Sequence, residues 1–170
     1  MPTIAELLDW QPDSLASLAD SLFASRRRLK GLQDEINTGK PPASWDAPAT
    51  PSAVSDYDDL HQRLNDIAAQ VSDLAVTVEE TSAEVRAARS ALEDALTEAS
   101  GAGFSVNRQT GEITAPRLPV TDFPTGDPRQ VTENARVQRE TRERDKRIDQ
   151  IEADIDRALK RADAADVGLA

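Results

Sequence analysis

From Tyr57 to Ala95 the chain reads YDDLHQRLNDIAAQVSDLAVTVEETSAEVRAARSALEDA, and the spacing of its apolar residues decides the fold class. Tyr57, Leu60, Leu64, Ile67, Val71, Leu74, Val78, Thr81, Val85, Ala88, Leu92 and Ala95 follow one another at intervals of three and four residues without a slip. A strand facing a core would alternate every second residue; this period instead keeps the apolar side chains on one side of a helix. Sustained over several heptads, it predicts a helix packed along a left-handed seam. Thr50 and Pro51 suit an N-cap and a first helical residue, and Gly101 and Gly103 a stop. The helix therefore covers about residues 51–101, on the order of 75 Å.

Working outward, Thr3-Ile4-Ala5-Glu6 matches a capping box and predicts a short helical turn around residues 4–8. Pro12 opens a helix over about 12–37, with Leu15, Leu18, Leu22, Leu29, Leu32 and Ile36 on its seam, an interruption at Ser25, and Ala19 and Phe23 widening the stripe. Gly39, Pro41, Pro42 and Pro48 make residues 38–50 a turn, with Trp45 in its middle. Beyond the long helix, Phe104-Ser105-Val106 and Glu112-Ile113-Thr114 alternate around Asn107 to Gly111 and predict a small β-hairpin. Pro116, Pro119 and Pro124 keep the rest of the 102–126 linker extended. Asp127-Pro128 then starts a third helix over about 127–167, sparse in apolar residues at first (Val131, Val137) and denser from Ile148 onward. The expected fold class is all-α: an elongated antiparallel helical hairpin or three-helix bundle, one domain over residues 1–170, with the β-hairpin between helices two and three.

Composition narrows the function. Of 170 residues, 38% are hydrophobic but only two are Trp, one Tyr and three Phe, which suits narrow helical seams better than a large globular core. The formal net charge of -11 argues against a nucleic-acid partner. With no cysteine there is no thiolate metal site, disulfide or cysteine nucleophile. No apolar run is long enough to span a bilayer, and the first ten residues lack both the basic start and the apolar run of a secretory leader.

Residues that carry chemistry are scarce. His61 is the sole histidine and reads as a flank residue of the seam, since no second His or Cys completes a familiar site. The acidic pairs Asp58-Asp59, Glu79-Glu80 and Glu93-Asp94 lack the spacing of a calcium loop, and neighbours on a helix diverge, so they read as solvated faces. In the 136–147 stretch, acidic residues interleave with Arg136, Arg139, Arg142, Arg144, Lys146 and Arg147 at ion-pair spacing. The cluster Arg26-Arg27-Arg28-Lys30 has no such interleaving and suits either an acidic partner or membrane surface, or a plain polar helix face. Trp45 reads as a packing anchor at the turn, a role compatible with recognition. No enzyme, cofactor or metal is expected.

The order of these features resembles the helical domains of the WXG-like superfamily exported by type VII (ESX) secretion systems. The resemblance rests on Trp10-x-Pro12-x-x-Leu15, the amphipathic helix after it, Trp45-Asp46-Ala47 in the turn, and the Ala/Leu-rich return helix. It extends to Gly103-Phe104-Ser105-Val106 with Thr110-Gly111-Glu112-Ile113, and to the ending Ile155 to Asp166. It implies a helix-turn-helix hairpin that pairs with a helical-hairpin protein or with itself, contacts with a secretion ATPase or chaperone, Trp45 and Trp10 as anchors, and secretion or cell-surface display. In larger members such a domain precedes an effector domain, so a targeting role is implied too. The turn lacks the family's Gly, and Tyr57, with His61 four residues on, does not form the Tyr-x-x-x-Asp/Glu export signal. The alternative is a cytoplasmic coiled-coil scaffold or adaptor, which the same heptads would serve.

Overall fold

The structure is a computed structural model and describes residues 1–39, 50–124 and 126–168. It is mostly helical, in the order α1 (Ile4–Asp9), α2 (Pro12–Gly39), α3 (Thr50–Gly101), β1 (Ser105–Val106), β2 (Ile113–Thr114) and α4 (Pro128–Val167). The chain divides into two compact units, one of Met1–Trp10 with Glu84–Gly168 and the other of Gln11–Ala83. The helix α3 contributes to both.

In the first unit α1 is short, yet its N-terminus is fully capped. Thr3 Oγ1 accepts from the Glu6 amide at 3.2 Å, and the Glu6 carboxylate accepts from the Thr3 amide at 2.7 Å. This presents Ile4 and Leu7 to a core made of Leu92, Ala95 and Ala99 from α3 and Ile151, Ile155, Ala158, Leu159 and Ala162 from α4. Leu7, Leu92 and Ile151 are the large side chains sealed completely, and burial of each contributes about 1.5–3 kcal/mol. The chain leaves α3 through Gly103 at φ 76°, a conformation costly for any residue with a Cβ, and the Phe104 amide returns to the Ala99 carbonyl at 2.9 Å. That turn drops Phe104 onto the core.

The strands β1 and β2 pair antiparallel, Ser105 opposite Thr114 and Val106 opposite Ile113. Asn107 Oδ1 accepts from the amides of Gln109 and Thr110, and Gly111 takes φ 77°, which closes the turn. Asp127 caps α4 by accepting from the Arg129 amide at 2.9 Å, with Pro128 at the first helical position. Only the later half of α4 is buried, from Ile151 to Ala165.

In the second unit α2 and residues 50–83 of α3 meet through pairs that run in opposite senses. Ser82 Oγ donates to the Pro12 carbonyl at 2.8 Å, Gln33 Nε2 donates to Asn65 Oδ1 at 2.8 Å, and Asn37 lies 3.2 Å from His61 Nε2. Ala19 and Gln33 of α2 and Ala75, Val78, Thr81 and Ser82 of α3 are buried here.

Candidate protein-interaction surface

On α3 the seven-residue line Tyr57, Leu64, Val71, Val78, Val85, Leu92 is half-buried at its start and fully buried from Val78 onward. The residues three later divide. Thr81, Ala88 and Ala95 are buried, but Leu60, Ile67 and Leu74 are exposed at 46%, 46% and 51%. Four residues on from the line, His61 and Ala68 are half-buried and Ala75 and Ser82 fully buried. Up to residue 82, therefore, the inward side pairs the line of Leu64, Val71 and Val78 with small residues such as Ala68, Ala75 and Ser82, and Leu60, Ile67 and Leu74 are left on the flank.

The helix α2 repeats this arrangement. Leu15, Leu22, Leu29 and Ile36 form the half-buried line; Leu18 and Leu32, three residues on, are exposed at 49% and 48%; Ala19 and Gln33, four residues on, are buried. In two helices packed in opposite senses, equivalent heptad positions fall on the same flank of the pair. Leu18 and Leu32 thus share a side with Leu60, Ile67 and Leu74. Single exposed aliphatics are ordinary, but five in register on one flank make a patch.

Toward the ends of α2 and α3 that hold Gly39 and Thr50, the seam turns polar. Gln33 Nε2 bonds Asn65 Oδ1, so the Asn65 amide nitrogen is left to donate to His61 Nδ1, 3.2 Å away. Asn37 Nδ2, also an amide donor, lies 3.2 Å from Nε2, and a neutral ring has one acceptor nitrogen, so it accepts from only one of the two asparagines. His61 thus sits in a polar side-chain cluster with Gln33, Asn37 and Asn65, a neighbourhood that the count of histidines and metal ligands alone did not disclose.

Trp10 ends α1: its amide donates to the Leu7 carbonyl, its carbonyl accepts from Arg89 Nη1 at 3.0 Å, and its ring packs half-buried on the core of the first unit. Trp45 and the Pro-rich segment around it lie outside the described residues.

Part of the basic run of α4 is held by partners. Arg136 bridges Glu133 at 2.6 Å and Glu140 at 2.7 Å and donates to the Pro119 carbonyl at 2.9 Å; Arg144 Nη1 donates to the Pro116 carbonyl at 3.0 Å. Glu133 also accepts from the Thr121 amide. The Arg136 guanidinium first, and then the Thr121 amide, pull the Glu133 carboxyl down to about 2, while the two carboxylates raise Arg136. These side chains clamp the extended linker onto the first half of α4, where Arg129 also stacks 5.0 Å from the centre of the Phe123 ring.

Among the described residues, no three side chains of metal-ligating type gather in one place, and no helix is long and apolar enough to cross a membrane. Comparison with family models, with curated proteins and with solved structures finds no match for the chain.

Proposed function

We propose that this chain is a non-enzymatic protein-interaction module in which α2 and the first part of α3 form an antiparallel helical hairpin, and that the hairpin's aliphatic flank docks onto a helical partner, either another hairpin protein or a second copy. The observation that carries this is the row Leu18, Leu32, Leu60, Ile67 and Leu74, each about half-exposed. Covering what remains open would contribute about 1 kcal/mol per residue, near 5 kcal/mol in all. That falls at the low end of the cost of association, so the partner must supply apolar surface of its own.

The biological setting we propose is type VII export, as a secreted substrate or as the targeting domain of an effector. The support is the resemblance described above: the order Trp10-x-Pro12, amphipathic helix, Trp45 turn, Ala-rich return helix. A partner carrying a Tyr-x-x-x-Asp/Glu signal would supply what Tyr57 and His61 do not. The direct test is to express the chain, with and without candidate partner hairpins, in hosts with and without the type VII ATPase. Appearance in the medium only where the ATPase is active supports the proposal, and Trp45→Ala is then expected to abolish export while leaving helicity intact. A folded, abundant protein that stays inside every host and partner combination refutes it.

A second reading, an intracellular coiled-coil scaffold, is favoured by one observation: the missing export signal beside an unbroken heptad pattern. Retention combined with self-association through the same flank would select it.

A further inference from the structure

On the side of α2 away from the aliphatic row, Phe23, Arg26, Arg27 and Lys30 surround a shallow depression with Asp20 at its edge. Phe23 is half-buried and the three cations are exposed. None of the three makes an ion pair or side-chain hydrogen bond among the described residues; Arg89, Arg129, Arg136, Arg157, Lys160 and Arg161 have carboxylate partners, while Arg139, Arg142 and Lys146 on α4 are likewise without one but stand in no depression with an aromatic ring. Arg26 is notable by position. It falls on the same line as Ala19 and Gln33, which are buried, yet it is exposed, and it lines the depression with Phe23. In a chain of net charge -11 this is a concentrated positive spot set against an aromatic ring.

We infer that the Phe23–Lys30 depression binds a short acidic peptide segment of a partner protein, its carboxylates on Arg26, Arg27 and Lys30 and an apolar side chain on Phe23. The size of the patch selects this ligand. From Phe23 to Lys30 the helix rises about 10 Å, room for two or three carboxylates. Along the outward line through Arg27, the residues seven before and seven after are Asp20 and Asp34, so the positive zone is bounded by acid at both ends. A flat anionic membrane or a run of nucleic-acid phosphates would meet those carboxylates as well as the arginines, and would be repelled by them. A short acidic segment fits between. The surface is separate from the aliphatic flank, so the inference stands or falls apart from the docking proposed above.

The test is an amide-resolved NMR titration of the full chain with a capped hexaglutamate peptide at low salt. Shift changes confined to residues 20–34, about tenfold weaker binding in the doubly reversed variant R27E/K30E, and unchanged binding in Arg139→Glu, an exposed cation elsewhere, are expected. Far-UV circular dichroism of R27E/K30E should match the parent, since both positions are exposed on a helix surface. Equal binding by parent and R27E/K30E overturns the inference. So does tighter binding to phosphatidylserine vesicles than to the peptide, or reproduction of the same shifts by inorganic phosphate at the same concentration, which would mark a site for small anions only.

Discussion

Leu92 and Leu74 occupy the same helix and both belong to its apolar pattern, but they should respond very differently to truncation. Leu92 is fully sealed among α1, α3 and α4 residues. Leu92→Ala loses the transfer energy of the removed carbons and leaves a cavity, together about 3–5 kcal/mol. For a chain of this length that lowers the melting temperature by roughly 10 °C. Leu74 is 51% exposed, so Leu74→Ala removes about half of a smaller quantity, near 1 kcal/mol, and leaves an open notch with no sealed cavity. Urea denaturation followed by far-UV circular dichroism, at about 1 µM and again at about 200 µM, separates the two contributions. Leu92→Ala should cost the same at both concentrations. Leu74→Ala should be mild when dilute, and its cost should grow when the flank is covered by a second copy or an added partner. A Leu74→Ala loss equal to that of Leu92→Ala in dilute solution would show that the flank is buried within the chain, and would refute the docking argument.

Two further outcomes are expected. The Glu133 carboxyl is held near 2 by Arg136 and the Thr121 amide, against an ordinary value of 4.5. A depressed carboxyl stabilises the fold above its unfolded value and loses that contribution as pH falls, so the linker clamp should weaken between about pH 4.5 and pH 2. Faster amide exchange at Thr121 over that range, relative to residues in the α3–α4 core, would display it, and Glu133→Gln should remove that pH dependence; a flat Thr121 profile in the parent would mean that the contact is not formed. Val71→Asp puts a charge on the half-buried line of α3 and should destabilise by on the order of 1–3 kcal/mol; an unchanged melting curve would mean that this line is not packed.

The helical class was legible because three-and-four spacing has no other common explanation, and the local punctuation was legible because capping residues act on backbone groups close by in sequence. Thr3 with Glu6, Asp127 with Pro128 and Gly103 are all of this kind. The small antiparallel pair was legible for the same reason, since Asn107 and Gly111 build its turn locally. What the pattern leaves open is which edge of an apolar stripe turns inward. The stripe on α3 is broad enough to include both Ile67 and Ala68, and hydrophobicity alone favours the larger of the two for the interior. The chain instead half-buries Ala68 and fully buries Ala75, leaving Ile67 and Leu74 outside, because the choice depends on the surface of α2 and not on α3 alone. The linker clamps were illegible for another reason. Arg136 and Arg144 bind backbone carbonyls, which every residue has, so no side-chain pattern marks Pro116 or Pro119 as acceptors.

Those clamps carry a consequence for how the sequence can change over time. A carbonyl recognised by an arginine places almost no demand on the side chain attached to it, whereas the arginine itself must stay planar, forked and of the right length. Pro116, Pro119 and Thr121, engaged through their backbone groups, are therefore freer to drift in side-chain identity than Phe123, whose ring meets Arg129, while Arg136, Arg144 and the carboxylates that aim Arg136 are held fixed. Relatives of this chain are expected to show a variable linker lying against an invariant Arg/Glu lattice on α4, the reverse of the usual association of loops with identity and helices with scaffolding.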